Sequence, residues 1–279
     1  MLIAHWLLLI IIGLCLGSFI GLVADRYPFM LYREWGITPE SDSLQNRLAC
    51  LPSRFNLMLP RSHCTTCHNS LAWHHTIPIL SFLCLRGRCA FCQTPIPKRT
   101  FFSELISALL CVLAVSLFGW TPHAYMLILL YLTLLALALI DLEHQLLPDT
   151  FTLSLLWIAL IAQLYPTLSP ISTTEAISGA VIGYLTPWLV GTLFKAYRKK
   201  PGLGLGDCKL LAALGAWSGP MDVLVILLAA AFLGLIVAGL LIACRKLSSQ
   251  SFIPFGPFIA TIGAIIITLQ WLGLPIPSL

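Results

Sequence analysis

Residues 105–140 read LISALLCVLAVSLFGWTPHAYMLILLYLTLLALALI, a run without any Asp, Glu, Lys or Arg. An apolar helix needs about 20 residues to cross the hydrocarbon core of a bilayer. This run is therefore long enough for two crossings, joined at the turn near Gly119. Of the 279 residues in the whole chain, 58% are hydrophobic and only 10% are charged. The sequence predicts an all-α polytopic membrane protein.

Further apolar runs extend this pattern to both ends of the chain. The sixth of the expected spans is short enough to be re-entrant, and Ser218-Gly219-Pro220 supplies a turn after it. The first run lacks basic residues ahead of its apolar core and lacks a small-residue cleavage site, so we interpret it as a retained helix and not as a secretory signal. We expect about eight transmembrane helices, over residues 1–24, 103–119, 123–142, 150–166, 175–196, 208–219, 222–244 and 253–273.

The basic residues indicate the topology. They are concentrated in residues 26–99 and 195–209 and at Arg245 and Lys246, whereas the connectors at 119–123 and 166–174 contain none. Placing every basic cluster in the cytoplasm satisfies the positive-inside rule and puts both termini outside. The net charge of +5 then fits contact with anionic lipid better than nucleic-acid binding. The expected domains are a first transmembrane helix (1–24), a cytoplasmic domain (25–100) and a membrane domain (101–279).

The hydrophilic segment between the first and second spans contains two Cys-x-x-Cys pairs, Cys64 with Cys67 and Cys89 with Cys92. Paired thiolates at this spacing are typical of a structural four-cysteine zinc site in a zinc-ribbon-like loop. Two disulfides are the alternative, which a reducing cytoplasm disfavours. A closed site of four thiolates has no open coordination position, so we assign it a scaffolding role. Nearby histidines could replace a thiolate, although a surface role fits them better: His63, His68, His74 and His75.

Two aspartates are the first candidates for catalysis. Asp141 ends the long uncharged run, and Asp207 stands in Gly204-Leu205-Gly206-Asp207, ahead of another apolar run. A carboxylate at or inside a bilayer is costly and usually marks function. Two of them in separate helices suggest a pair that meets in the fold.

Short motifs in this order along almost the whole chain resemble one family. They are Gly17-Ser18-Phe19, Pro60-Arg61-Ser62-His63-Cys64, Ile77-Pro78-Ile79-Leu80-Ser81, Leu85-Arg86-Gly87-Arg88-Cys89, Ile140-Asp141-Leu142-Glu143-His144-Gln145-Leu146-Leu147-Pro148-Asp149, Gly204-Leu205-Gly206-Asp207-Cys208-Lys209-Leu210 and Pro254-Phe255-Gly256-Pro257. Together they resemble the type IV prepilin peptidases, which are bifunctional leader peptidases and N-methyltransferases of the bacterial inner membrane. Residues 29–56 match this family's pattern poorly.

The resemblance implies that Asp141 and Asp207 are the catalytic dyad of a Gly-x-Gly-Asp aspartic protease. Two carboxyls held close together cannot both ionise cheaply, so they share a proton. One can then act as a base toward water while the other acts as an acid toward the scissile carbonyl. The implied substrates are prepilins and pseudopilins, which have a short basic leader before a long apolar helix and are cut at the cytoplasmic membrane face.

The resemblance also implies methylation of the new N-terminus, with S-adenosylmethionine as the donor. No Gly-rich strand-turn-helix fingerprint identifies the residues that bind this cofactor. We expect them in the cytoplasmic segment from Asp25 to Lys98. The implied location of the enzyme is the bacterial inner membrane, as a multi-pass protein with its large loop in the cytoplasm.

Three other carboxylates are weaker candidates for the protease site. Asp149 reads as the N-cap of the fourth span, Glu143 lies at the solvated rim, and Asp222 begins the seventh span on the outer side. Lys209 either balances charge near Asp207 or extends to the membrane surface. Two other functional classes stay open: a proton- or cation-coupled transporter that uses paired membrane carboxylates, and a zinc-bearing membrane adaptor without catalysis.

Overall fold

The structure is a computed structural model that describes residues 2–39, 41–64, 66–67, 69–165, 167–199, 202–244 and 253–274. Within these ranges the chain is helical, with two isolated β-bridges and no strand. The prediction of an all-α protein is therefore confirmed. The chain divides into two compact units, residues 1–116 and 117–279. Three residues named above lie outside the described ranges: His68, Arg245 and Lys246.

The first unit contains two long helices that flank a mostly irregular segment. Helix α1 is 34 residues long, which corresponds to roughly 50 Å at a rise of about 1.5 Å per residue. The helix therefore continues well past the predicted membrane segment that ends at residue 24. The helices of this unit are α1 (Leu2–Trp35), α2 (Asp42–Ala49), α3 (Leu80–Cys84) and α4 (Lys98–Phe118), with a 3-10 turn at Trp73–Thr76.

Helices α1 and α4 pack closely along a stripe of small residues. A Cβ on Gly17 would lie 2.6 Å from the Glu104 Cα, so only glycine permits this approach. The Ser107 hydroxyl donates a hydrogen bond of 2.7 Å to the Gly13 carbonyl across the same contact. Small residues repeated every fourth position are typical of helix pairs in membranes, because close backbone approach replaces the hydrophobic effect there.

Arginines of the first basic cluster form ion pairs and hydrogen bonds with other residues of the first unit. The Asp25 carboxylate accepts hydrogen bonds from Arg47 and Arg99, with N···O distances of 2.7 and 2.8 Å. Arg33 donates to the two backbone carbonyls of residues 51 and 52 at 2.8 and 2.7 Å. These side chains tie the end of α1 to α2 and to the following loop. The poorly matched segment 29–56 is thus organised around the extension of α1.

The second unit is built around one of its two shortest helices. Helix α8 contacts α6, α7, α9 and α10, and its residues from Leu210 to Ser218 are all buried. Its 14 residues correspond to about 21 Å, which is too short to cross a bilayer. The six helices are α5 (Pro122–His144), α6 (Asp149–Ala162), α7 (Thr173–Arg198), α8 (Leu205–Ser218), α9 (Pro220–Ala243) and α10 (Gly256–Trp271).

Glycines allow α7 and α8 to pack against each other through their backbones. A Cβ on Gly179 would overlap the Gly215 carbonyl, and a Cβ on Gly183 would overlap the carbonyl of Leu211. At the same end of α8 as Gly215, the Trp217 indole N–H donates a hydrogen bond of 3.1 Å to the Leu155 carbonyl of α6. These contacts place α8 at the packed centre of the second unit.

Each of the eight apolar segments predicted as a span contains a helix. Within the described residues, five helices are long and apolar enough to cross a membrane, which are α1, α4, α5, α7 and α9; α6 and α10 are apolar but shorter. The chain is therefore a multi-pass membrane protein. The count of eight spans and the domain boundaries at residues 24 and 100 stay predictions.

Candidate active site

Asp141 lies near the C-terminal end of α5 and is only 5% exposed. Its Oδ2 accepts a hydrogen bond of 2.9 Å from the backbone N–H of Gly256, the first residue of α10. A Cβ at position 256 would lie 2.7 Å from the same oxygen. The start of α10 therefore binds this carboxyl directly, in the manner of a helix N-terminus that binds an anion, and requires glycine to do so.

Asp207 lies in the first turn of α8, where its carboxyl folds back over the helix terminus. It lies beside Gly204, the N-cap residue of the helix. The Asp207 Oδ2 is 3.2 Å from the point where a Cβ on Gly204 would stand. The carboxyl at the third position of the helix thus lies next to the helix N-terminus, where the helix dipole favours a negative charge.

Leu147 joins the elements that carry the two carboxyls. A Cβ on Gly206 would lie 2.9 Å from the Leu147 Cβ, and a Cβ on Gly256 would lie 3.1 Å from the Leu147 Cδ2. The end of α5, the start of α8 and the start of α10 thus converge on one side chain. The carboxyls of Asp141 and Asp207 are close enough to interact electrostatically. The structure brings together the two aspartates that the sequence indicated.

The other carboxylates of this unit have different environments. Asp149 is the first residue of α6, and the N-cap is Pro148, so the prediction that Asp149 is the N-cap was wrong. Its carboxylate is instead bound by Lys209, whose Nζ is 2.7 Å from both oxygens. Asp222 lies in the first turn of α9, beyond the far end of α8 from Asp207. Glu143 lies at the end of α5, and its side chain is 40% exposed.

The four cysteines of the first unit converge as their spacing predicted. All four sulfur atoms lie within 4.8 Å of one another, and none forms a disulfide. The sulfurs of Cys64 and Cys92 are 3.7 Å apart. Four thiolates at about 2.3 Å from one tetrahedral zinc ion would be about 3.8 Å apart. The donor set and its spacing therefore fit a structural zinc ion.

The two Cys-x-x-Cys turns have the same hydrogen bonds in the same order. The Cys64 N–H donates to the Asn69 carbonyl at 3.1 Å, and the Cys89 N–H donates to the Thr94 carbonyl at 2.9 Å. In each turn the first sulfur also accepts from the amide two residues later, at 3.5 Å. Each turn is closed by an isolated β-bridge, between residues 63 and 70 and between residues 88 and 95. The cluster is thus a pair of repeated knuckles that face one point.

Hydrogen bonds within the second knuckle favour the form of cysteine that binds metal. The Thr94 hydroxyl lies 3.2 Å from the Cys92 sulfur. The Thr94 side chain and the Thr94 amide lower the pKa of the Cys92 thiol to about 6. The thiolate is the ligand form. The three described histidines nearby, His63, His74 and His75, are not members of the cluster.

The sequence did not reveal every residue that shapes the aspartate site. Gly256 and Leu147 belong to motifs quoted above, but the sequence alone gave neither residue a role. In the first unit, the sequence also did not single out Glu104. This buried carboxyl accepts a hydrogen bond of 2.7 Å from the Ile79 N–H. The signal for Gly256 was its position between Phe255 and Pro257 at the start of an apolar run.

Two protein-family models match separate ranges of the chain. Residues 11–118 match the bacterial peptidase A24 N-terminal domain, and residues 128–239 match the type IV leader peptidase family. The first match contains the four cysteines, and the second contains both aspartates.

Several curated relatives carry the name prepilin leader peptidase/N-methyltransferase. The protein from Pseudomonas aeruginosa is 39% identical over 94% of this chain and 89% of its own length. The protein from Stutzerimonas stutzeri is 39% identical over 91% and 87%, and that from Burkholderia pseudomallei strain K96243 is 41% identical over 91% and 82%. No solved structure matches the chain. On these family matches and relatives, the chain belongs to the type IV leader peptidase family.

Proposed function

We propose that this chain removes the leader of prepilin-type precursors with Asp141 and Asp207 as the catalytic pair, and then methylates the new N-terminal amine. The relatives that match almost the whole chain are named for both activities. The observation that carries the assignment of the protease site is the convergence of the two aspartates around Leu147. The four-cysteine cluster lies elsewhere in the chain and has no open position for catalysis.

The aspartate geometry supports water-mediated hydrolysis. The Gly256 N–H binds the Oδ2 of Asp141, and no other described group bonds this carboxyl, so Oδ1 can face a water molecule. One aspartate accepts a proton from the water as it attacks the scissile carbonyl, and the other donates its proton to the carbonyl oxygen. The leaving amine takes up a proton as the C–N bond breaks. No covalent intermediate with the enzyme is needed.

Methyl transfer requires a donor and a folded first unit. S-adenosylmethionine would supply the methyl group from its positively charged sulfur: the S–C bond would break as the N–C bond to the new amine forms, the neutral thioether would leave, and the amine would lose a proton to water. The described residues contain no sheet and hence no strand-turn-helix nucleotide site, and the binding residues are unassigned. We place them in the segment from Asp25 to Lys98. The zinc ion that Cys64, Cys67, Cys89 and Cys92 would hold stabilises this segment.

We further propose that the membrane is the bacterial inner membrane and that residues 25–100 are cytoplasmic. The positive-inside distribution of Lys and Arg supports this orientation. It places Asp141 and Asp207 on the cytoplasmic side, where the junction between a basic leader and an apolar helix would lie. The partners are then prepilin and pseudopilin precursors and membrane lipid, and no nucleic acid.

The test uses the purified full chain in lipid vesicles with a prepilin and, separately, a pre-cleaved pilin. We expect Asp207→Asn to leave the leader attached while still methylating the pre-cleaved pilin. Asp222→Asn is the matched control, because it removes a carboxylate from another helix start and should retain both activities. Leader removal at the normal rate by Asp207→Asn would refute the assigned pair. Loss of both activities in a folded Asp207→Asn protein would show that the two sites overlap.

A further inference from the structure

An ion pair links the two segments that carry the candidate catalytic carboxyls. Lys209 Nζ lies 2.7 Å from both carboxylate oxygens of Asp149. Lys209 follows Asp207 by two positions on α8, and Asp149 begins α6 directly after the connector that leaves α5 beyond Asp141. The bridge therefore joins the helix of one aspartate to the chain segment of the other.

The connector between α5 and α6 contacts the start of α8 through Leu147. Its first residue, Gln145, has a left-handed conformation with φ of 50° and ends α5. Leu147 and Pro148 are its buried residues, and Leu147 packs against Gly206 and Gly256. Farther along both helices, the Trp217 indole near the end of α8 bonds the Leu155 carbonyl in the middle of α6. At the end near the carboxyls, the bridge and Leu147 join α8 to the connector and the start of α6.

The exposure of the bridge argues against a mainly stabilising role. The Asp149 side chain is 56% exposed and that of Lys209 is 30% exposed. Exposed ion pairs contribute little to folding stability, because water screens them and two long side chains lose freedom. Their geometry can nevertheless determine where a neighbouring group lies, and a misplacement of about 1 Å in an active site can lower a rate by roughly a hundredfold.

We propose that the Asp149–Lys209 ion pair is a positioning clasp for the protease site. It holds residues 145–148, and with them Leu147, against the first turn of α8, and so sets Asp207 relative to Asp141. Lys209 and Asp149 are positioning residues that act through Leu147 and the helix start, and they do not touch the scissile bond. This inference rests on the proposed protease function.

The test measures prepilin cleavage by the full chain in lipid vesicles, with kcat and KM determined separately. We expect Asp149→Asn and Lys209→Met each to lower kcat about ten- to hundredfold, with KM and the thermal unfolding temperature nearly unchanged. The exchange variant Asp149→Lys/Lys209→Asp should recover most of the lost kcat, because the pair is restored in the opposite sense. Lys209→Arg keeps the pair and should retain kcat, which gives a second readout if the exchange variant does not fold.

Two matched controls separate this effect from a general loss of charge. Lys195→Met removes an exposed lysine from the last turn of α7, and Asp222→Asn removes an aspartate from the first turn of α9. Both should keep the wild-type kcat. Normal kcat in Asp149→Asn and Lys209→Met, or an equal loss in the controls, would overturn the clasp. A fall in unfolding temperature that parallels the fall in kcat would do the same, because it would show a merely structural role. If Asp207→Asn itself cleaves normally, the proposed function fails first.

Discussion

The four-cysteine cluster and the aspartate site are assembled in opposite ways. The cluster comes from one short stretch, residues 64–92, in which two turns repeat the same hydrogen bonds. The aspartate site takes its parts from three helices, with Asp141 on α5, Asp207 on α8 and Gly256 on α10. A local site depends on the chain's own turns, whereas a dispersed site depends on how helices pack.

This difference predicts different consequences of mutation. A metal bound by closely spaced thiolates supplies folding free energy to the segment around it, so loss of a ligand should appear as loss of metal and of local order. The aspartate site is held by the packing of helices around α8, and an asparagine keeps the shape of the side chain that it replaces. Removal of a carboxyl should therefore abolish chemistry and leave the fold intact. The following experiments test this contrast, from the largest expected effect to the smallest.

The largest effect is expected from Asp141→Asn and Asp207→Asn. Each change keeps the shape of the side chain and removes the titrating carboxyl, so prepilin cleavage should fall by roughly 10³-fold or more. The zinc content and the unfolding temperature should match those of the wild type. Electrophoretic separation of precursor from mature pilin measures the rate. Residual cleavage within tenfold of wild type would contradict a two-carboxyl site.

The next largest effect is expected from Gly256→Ala. The new methyl group would lie 2.7 Å from the Asp141 Oδ2, so the carboxyl or the start of α10 must move. A displacement of about 1 Å should lower kcat roughly a hundredfold. Gly239→Ala is the matched control, because no atom lies within 4 Å of the added Cβ. If both glycine variants cleave equally well, Gly256 does not position Asp141.

For the cysteine cluster we expect a different outcome. Cys64→Ser should reduce bound zinc from about one ion per chain to almost none, since a structural site needs four ligands. The segment around residues 64–96 should become sensitive to proteolysis, and methylation should fall. Cys50→Ser, at an exposed free cysteine, should change none of these. Full zinc occupancy in Cys64→Ser, measured by mass spectrometry of the metal, would rule out the four-thiolate site.

The smallest effect is expected from Thr94→Val. This change removes the hydroxyl that lies 3.2 Å from the Cys92 sulfur, and loss of such an outer contact typically lowers metal affinity about tenfold or more. Thr66→Val is the matched control, since Thr66 contacts the Cys64 sulfur through its backbone amide, which valine keeps. Competition with a chelator compares the two. Leader cleavage should be unchanged in both, and equal zinc affinities would remove the role given to Thr94.

Sequence reasoning succeeded where the physical cause is local. The Cys-x-x-Cys spacing predicted the convergence of sulfurs, because a turn of this length directs both thiols to one side. The position of Asp141 at the end of an uncharged run marked it as unusual for a membrane protein. The prediction that Asp149 is an N-cap was wrong, because the capping rule considers only the neighbouring residues. The carboxylate instead bonds Lys209, which is distant in the chain.

The sequence by itself determined the class of protein, the apolar helices, the cysteine cluster and the two aspartates, because composition, run length and short spacings carry that information. Only the tertiary structure decided that the Gly256 amide binds Asp141, that Leu147 lies between the helix starts and that Lys209 pairs with Asp149. Each of these contacts joins residues of different helices. Which residues meet in these contacts depends on how glycines let α8 pack closely against its neighbouring helices. No short stretch of sequence specifies that packing.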